Sequence, residues 1–431
     1  MNIKTKNYRW IIVALLFMAT TINYIDRQII GLLKPILEIE FKWSESDFAR
    51  IVVAFTAAYA IGLLLFGRLI DRVGTKIGYS LSVVIWSVMG MLHAAAKTVT
   101  GFSLARIGLG LGEAGNFPAA MKTVAEWFPK KERGIAAGIF NSGTSIGVVI
   151  ALLITPWILV NMGWQQVFII TGALGFLWLI LWLWLYEIPA KQKYLSREEF
   201  LLITEQQENI PQEEIRPTKW IRLFTLPQTW AFIFGKFLID PIFWFFLFWL
   251  PSYFSSTFHL DLTRPSPELM IIYSATTVGS IAGGYISSLL IKRGMAALKA
   301  RKTVLFTIAI LELSIIFAQY VTNVWAAVAL ISLAVASHQA WATNIFTAAS
   351  DMFPKQAVSS VVGIGGMAGA IGGIFFPMLV GYLLDSYKEA GNISAGYNLL
   401  FTLCGVTYFV TWTIIYLLTR KRSIVSLTEI Q

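Results

Sequence analysis

Long apolar runs, each ended by a short charged or Pro/Gly-rich stretch, recur along the whole chain at approximately 10–33, 48–69, 77–96, 101–121, 134–159, 164–186, 229–254, 268–291, 303–321, 323–349, 358–384 and 397–419. A run of about 20 apolar residues is long enough to cross the hydrocarbon core of a bilayer as an α-helix. The pattern predicts about twelve transmembrane helices. The widest polar interruption, Glu187 to Trp220, carries Lys191, Lys193, Arg197, Glu198, Glu199 and a Glu/Gln-rich stretch from Glu205 to Glu214. Ser196, just ahead of that acidic cluster, is placed to cap a short helix, because its hydroxyl accepts from the free N–H groups of a first turn. The interruption divides the chain six plus six: an N-terminal six-helix half over 1–188, a linker over 189–222 and a C-terminal six-helix half over 223–431.

Composition turns this pattern into an exclusion. Of 431 residues 56% are hydrophobic and 13% charged, with mean hydropathy +0.67, against about 25% charged in an ordinary soluble domain. A soluble surface is already roughly half apolar and could not hold the remainder. A soluble enzyme is therefore excluded, and function must lie within the membrane. The formal charge, 34 Lys+Arg against 24 Asp+Glu or +10, would point to nucleic acid in a soluble protein. Here the basic residues gather at span ends: Lys4, Lys6 and Arg9, then Arg68, Arg72 and Lys76, then Lys130, Lys131 and Arg133, then Lys292, Arg293, Lys299, Arg301 and Lys302, and last Arg420, Lys421 and Arg422. The opposite loops, such as 161–163 and 322–323, are short and uncharged. By the positive-inside rule the basic side is the cytoplasm, so both termini are expected there, in a multi-pass protein of the inner (plasma) membrane. Contact with anionic lipid is a secondary reading of the same charge. The first apolar run is too long for a signal-peptide core and reads as the first span. With a single Cys404 and three His, neither an internal disulfide nor a metal centre is expected.

Where charge is this scarce, the charges inside the spans carry the chemistry, since each costs about 2.5 kcal/mol or more at the bilayer centre. The first span contains Asn23-Tyr24-Ile25-Asp26-Arg27-Gln28. Adjacent helical side chains point about 100° apart, so Asp26 and Arg27 can serve different faces, one as a proton carrier and one as an anion clamp. The plainer alternative is a helix-end pair snorkelling to the interface. In the fourth span Arg106 and Glu113 are seven residues apart, which places them on one helix face about 10 Å from each other. Gly108, Gly110, Gly112 and Gly115 between and beside them admit close neighbours. A carboxyl buried there favours its neutral form and suits a group that binds and releases protons; the alternative is a static ion pair that orients helices. Lys236 and Asp240, spaced i,i+4 near the start of the seventh span, suit a local ion pair and a substrate role equally. Glu312 and His93 have no identifiable partner in the sequence.

Between the second and third spans the chain reads Gly67-Arg68-Leu69-Ile70-Asp71-Arg72-Val73-Gly74-Thr75-Lys76. This resembles the G-x-x-x-D-[RK]-x-G-x-[RK] signature at the same loop of the major facilitator superfamily, whose fold is all-α, with two six-helix halves around a mid-membrane site. Gly67 would let helices approach closely, Asp71 would accept from Arg72 or from a neighbouring helix N-terminus, and Gly74 would supply the turn. The resemblance implies a gating latch formed by Gly67, Asp71, Arg72, Gly74 and Lys76. The corresponding stretch, Gly284 to Gly294, keeps glycine and Lys292-Arg293 but has Ser288 in place of the acid, so no gate is expected there.

Asn23-Tyr24-x-Asp26-Arg27, Arg106 with Glu113, Glu126-Trp127-Phe128-Pro129 with Glu132-Arg133-Gly134, and Asn141 through Gly147 are similar to the anion:cation symporter family. Gly74 through Tyr79, Ser337-His338-Gln339-Ala340, Ser350 through Phe353 and Asp240-Pro241 resemble its bacterial hexuronate transporters. That resemblance implies proton coupling at Asp26 and Glu113 and a substrate carboxylate clasped by Arg27. Tyr24 and Tyr59 match polar aromatics facing the site, and Arg106 joins the substrate-binding set. The second half would add Trp244, His338, Gln339 and Asn344. The function implied is a proton-coupled symporter importing a sugar acid, a hexuronate such as glucuronate or galacturonate; a carrier of another organic anion (aldonate, aldarate) or of phosphate is the alternative. A membrane-embedded enzyme on lipid substrates would need an interfacial catalytic cluster that the sequence lacks, and a transporter-like receptor would need an added signalling domain. No cofactor is expected. The partners are a small anionic substrate, protons and the lipid bilayer, with no nucleic acid, and the chain is expected to act as a monomer.

Overall fold

The computed structural model describes residues 7–43, 45–204, 220–259, 267–420, 424–426 and 430; the Glu/Gln-rich part of the linker and the basic residues Lys4, Lys6, Lys421 and Arg422 lie outside them. Ten of the described helical segments are long and apolar enough to cross a membrane. The first half consists of α1 (Tyr8–Phe41), α2 (Glu45–Val73), α3 (Thr75–Leu92), α4 (Val99–Glu113), α5 (Asn116–Trp127), α6 (Lys130–Met162) and α7 (Trp164–Leu185). After the short linker helix α8 (Arg197–Thr204), the second consists of α9 (Pro227–Phe237), α10 (Asp240–Phe258), α11 (Pro267–Lys292), α12 (Ala297–Glu312), α13 (Ser314–Ala318), α14 (Val324–Met352), α15 (Lys355–Glu389) and α16 (Ile393–Leu418).

The predicted fourth, seventh and ninth spans are broken rods: α4 with α5, α9 with α10 and α12 with α13. Proline accounts for two of the breaks. Pro118 cannot donate to the carbonyl of Ala114, nor Pro241 to that of Phe237, so each ladder stops one turn ahead of the proline. The third break, at Leu313, has no proline.

Each half pairs its rods by one plan: first with fifth (α1 with α6; α9 and α10 with α15), second with fourth (α2 with α4; α11 with α14), third with sixth (α3 with α7; α12 and α13 with α16). Between the halves, α6 packs on α11 and α2 on α15, two seams that exchange when the halves exchange. Small residues make both possible. A Cβ on Gly67 would come within 2.6 Å of the Ser359 carbonyl, and Gly134 and Gly284 touch backbone to backbone.

The seams are polar and lie toward the end that carries the basic loops. The amide of Asn141 donates to Ser280 Oγ (2.9 Å) and Gln339 Oε1 (3.0 Å), and Ser145 meets Thr276 at 2.7 Å. Nearer that end, Asp351 holds Arg133 at 3.2 Å and Arg301 at 3.1 Å, while Arg301 also donates to the Lys130 carbonyl at 3.2 Å. Asp71 pairs with Lys122 at 2.9 Å and accepts the Ser360 N–H at 2.6 Å near the start of α15. Its partners are thus Lys122 and a helix backbone, not Arg72. Gly74 makes its turn at φ +86°, where only glycine is unstrained. Lys76 pairs with Glu187 at 3.0 Å.

The linker helix is anchored as its cap residue suggests. Ser196 Oγ accepts from Glu199 N at 3.1 Å. Glu199 in turn accepts the N–H groups of Tyr8 (2.9 Å) and Arg9 (3.1 Å) and pairs with the Arg9 guanidinium at 2.8 Å. An acid of the linker therefore caps the first span, where the helix dipole favours a negative charge.

Candidate functional site

Arg27 projects from α1 toward α2 and α4. Its Nε and Nη2 both reach Glu113 Oε2 at 2.9 Å, and its guanidinium lies over the rings of Tyr59 (4.5 Å), Tyr24 (4.7 Å) and Phe55 (5.2 Å). Glycines bring these groups together. A Cβ on Gly110 would stand 2.6 Å from the Phe55 carbonyl and 3.1 Å from Tyr59 N, so the bare α4 backbone lets α2 carry both rings to Arg27. Gly147 of α6 likewise seats Tyr24, whose Cβ would be 2.9 Å from an added methyl. Glu113 is the last residue of α4 and fully buried; its Oε1 has no partner among the described residues. The sequence places Arg106 and Glu113 on one face, but the carboxylate is taken by Arg27, 86 residues away in the chain.

Asp26, one residue earlier, faces elsewhere. It is buried beside the Thr171 side chain and makes no ion pair among the described residues. Arg106 is buried within electrostatic reach of Asp26 and lies 5.4 Å from the Phe55 ring, with its Nε and Nη2 unpartnered. Unpartnered buried donors and acceptors are costly and mark a site that another molecule or a proton completes. The first half thus holds one closed acid–base pair and one open one.

In the second half, Lys236 at the end of α9 pairs with Asp240, the first residue of α10, at 2.7 Å. The pair spans the break at Pro241, where the backbone turns polar groups inward. Lys236 Nζ stands 4.1 Å over Phe346, and Phe346 stacks on Phe117 of the first half at 5.4 Å. Gly369 of α15 leaves room for the Asp240 carboxylate, and Gly373 for the indole of Trp244, 3.0 Å from where a Cβ would be. Asp240 lies within electrostatic reach of both Tyr24 and Tyr59 of the first half.

The other second-half candidates separate. Gln339 sits on the seam, hydrogen-bonded to Asn141. Asn344 is fully buried and donates to the carbonyls of Gly283 and Ala340, both at 2.9 Å. His338 stacks on Phe243 at 5.1 Å and meets the Tyr408 hydroxyl at 2.6 Å. These two are committed to neighbouring helices rather than aimed at Arg27. Sequence reasoning missed Lys122 and the Arg133–Asp351–Arg301 cluster. Lys122 had a visible signal as a lone cation at the end of an apolar run; the cluster joins three spans and had none. Among the described residues no three His, Cys, Asp or Glu side chains gather to hold a metal ion.

The sequence model of the Major Facilitator Superfamily matches residues 16–377. The chain is 32% identical over 418 residues to the hexuronate transporter of Escherichia coli, covering 96% of this chain and 95% of that protein. It is 31% identical over 288 residues to the galacturonate transporter of Dickeya chrysanthemi (66% and 83% of the two chains), and 26% identical over 391 residues to a D-galactonate transporter of Escherichia coli (89% and 90%). Among solved structures, the proton:xylose symporter XylE has TM-score 0.69 at 15% identity, covering 95% of each chain. The transporter FucP in its outward conformation has TM-score 0.64 at 16% identity, covering 96% and 99%. Shared span order, the Gly67–Lys76 loop, two similar halves and these likenesses agree: this multi-pass membrane protein belongs to the Major Facilitator Superfamily.

Proposed function

We propose that the chain is a proton-coupled symporter that imports a sugar acid, a hexuronate such as glucuronate or galacturonate, by alternating access. The observation that carries this reading is the Arg27–Glu113 pair at 2.9 Å. While Glu113 is ionised it occupies the guanidinium fork that a substrate carboxylate needs. Protonating Glu113 releases that fork. Proton binding and anion binding thereby become one event, and loaded and empty carriers are both balanced while half-loaded ones are not. Asp26, buried near Arg106 with no ion pair among the described residues, serves as the second proton site. Tyr24 and Tyr59 offer hydroxyls to the sugar; Trp244, Lys236 and Asp240 form the other side of the site.

Gly67, Asp71, Arg72, Gly74 and Lys76 act as a gate at the basic end, taken as the cytoplasmic side with both termini there. The contacts of Asp71 with Ser360 and of Asp351 with Arg133 join the halves at that end and support a gate there. The hexuronate and galacturonate names of the relatives support a carboxylated sugar as cargo. The same cation set would also serve an aldonate or aldarate, which the D-galactonate relative keeps as the second reading.

The test is uptake of labelled galacturonate into proteoliposomes with an imposed pH gradient. Glu113→Gln should lose acid-driven accumulation and retain exchange. Accumulation by that variant against a gradient would remove Glu113 from coupling, and preference for an uncharged sugar would remove Arg27 from recognition.

A further inference from the structure

The Arg27–Glu113 pair depends on where Glu113 is held, and Glu113 is the last residue of α4, at the edge of a helix break. Ala114 and Gly115 separate it from Asn116, which opens α5, and Pro118 leaves the Ala114 carbonyl without its helical donor. A helix end leaves backbone groups without partners, so a carboxylate at such a break is only as fixed as the contacts around it.

Two helices supply those contacts. On α3, Tyr79, Ser82 and Trp86 recur at i, i+3 and i+7 and so share one face; all three are fully buried. The Tyr79 hydroxyl donates to Asn116 Oδ1 at 2.5 Å, and Ser82 Oγ donates to the Gly112 carbonyl at 2.6 Å. Trp86 N stands 2.5 Å from where a Cβ on Gly112 would be, so only the bare backbone fits there. The Tyr79 ring is itself wedged against Trp178 (4.9 Å) and Trp182 (5.1 Å) of α7. On α1, Thr20, Asn23 and Arg27 repeat the same spacing. Asn116 Nδ2 donates to Thr20 Oγ1 at 3.2 Å, Asn23 Nδ2 reaches the Glu113 carbonyl at 3.5 Å, and Arg27 Nε donates to Glu113 Oε2 at 2.9 Å. Asn116 is fully buried and does not cap its own helix; its carboxamide oxygen is taken by α3 and its nitrogen by α1. The break is thus held on both sides of Glu113, one residue before it at Gly112 and three after it at Asn116.

We propose that Asn116, with Tyr79 and Ser82, positions the Glu113 carboxylate against Arg27 and thereby sets the pH at which that pair opens. These are positioning residues: they hold the backbone and the start of α5, while the bond to the carboxylate comes from Arg27. The charged and titratable groups facing Glu113 are Arg27, Asp26 and Tyr24 from α1, Tyr59 from α2 and Arg106 from its own helix. The α3 helix presents Tyr79, whose hydroxyl is turned to Asn116. When the break shifts, the ionised carboxylate loses part of Arg27 and takes a proton more readily, so the pair opens at higher pH. The inference rests on the proposed coupling role of Glu113 only for the use made of its proton.

The test is an infrared pH titration of the full-length protein in lipid bilayers, following the C=O band of neutral carboxyl groups; the component that Glu113→Gln removes belongs to Glu113. Asn116→Ala, Tyr79→Phe and Ser82→Ala should each move the midpoint of that component to higher pH by about half a unit or more, roughly threefold in proton affinity. Tyr79→Phe keeps the ring and its packing, and with Ser82→Ala it decides the point should Asn116→Ala not fold. Residues that only stabilised the fold would lower the melting temperature and leave the midpoint in place. A midpoint raised in either of these two variants supports the proposal, and one unmoved or lowered in both overturns it. A band that Glu113→Gln leaves unchanged overturns it as well, because the pair would then never open to a proton. The titration involves neither cargo nor transport. Proteoliposomes that move galacturonate without protons would overturn the symport reading and leave this result intact.

Discussion

In the first half the central ion pair joins two helices, Arg27 of α1 to Glu113 of α4 at 2.9 Å; in the second, Lys236 and Asp240 lie four residues apart across one helix break at 2.7 Å. A pair that bridges helices changes when either helix moves or either partner titrates, whereas a local i,i+4 pair travels with its own backbone. Arg27 also offers a planar fork that matches a carboxylate, where Lys236 offers a point charge. On the proposed function, that difference gives the first half the coupling of proton to anion and leaves the second half the opposite side of the site.

The contacts between the halves differ in the same way. Both halves place a glycine of positive φ at the corresponding turn, Gly74 at +86° and Gly294 at +95°. Only the first follows the loop acid pattern. Where Asp71 would have its counterpart, Ser288 has a buried hydroxyl without a partner among the described residues. The acid of the second half comes instead from the end of α14, where Asp351 holds Arg301 of its own half and Arg133 of the other. Ser288 correctly indicated a missing loop acid, but the contact between the halves is made by another element.

The largest expected effect tests the central asymmetry. Arg27→Ala should lower tracer uptake of galacturonate by roughly 100-fold or more, since truncating one member of a buried charge pair costs about 2–5 kcal/mol. Lys236→Ala should cost about tenfold, and equal losses would erase the distinction between the walls. Next, Asp351→Asn leaves two buried guanidinium groups without their acid, a loss of about 3–5 kcal/mol to the closed gate. Asp71→Asn should cost less, about 1.5–3 kcal/mol, because Lys122 keeps the Ile70 carbonyl at 3.0 Å. Both are read as the rate at which a thiol reagent reaches Ser280→Cys on the seam, with Cys404 replaced by serine; faster labelling in Asp71→Asn would reverse the order of the gates.

The seams should answer alike. Gly67→Ala and Gly284→Ala each drive a methyl into backbone of the other half, and each should lower the melting temperature by an overpacking cost of about 1–3 kcal/mol. A silent result at one glycine would show that the seams are not equivalent. The smallest effect belongs to the turns. Gly74 and Gly294 have open space where a Cβ would go, so alanine costs only the left-handed backbone, about 1–2 kcal/mol, with a small melting shift and unchanged uptake.

What was legible along the chain was whatever depends on neighbours in sequence. Apolar runs set the spans because every backbone polar group in lipid must be satisfied within its own helix. Ser196 announced its cap, Gly74 its turn, and the 100° between adjacent side chains separated Asp26 from Arg27 before any fold was known. Scarcity of charge singled out Asp26, Arg27, Arg106 and Glu113. Partnership was not legible, because it depends on how helices rotate and which ones meet. Glu113 pairs with Arg27 rather than facing Arg106 alone, and Asp351 reaches Arg133 across 218 residues of chain. His338 and Asn344, polar residues of a central span, turn to Tyr408 and Gly283 instead of toward Arg27. Sequence by itself determined which residues had to be inside the membrane; tertiary packing decided which of them neutralise one another and which stay without an ionic partner among the described residues, because an ion pair between helices is a property of their interface and of neither stretch of sequence alone.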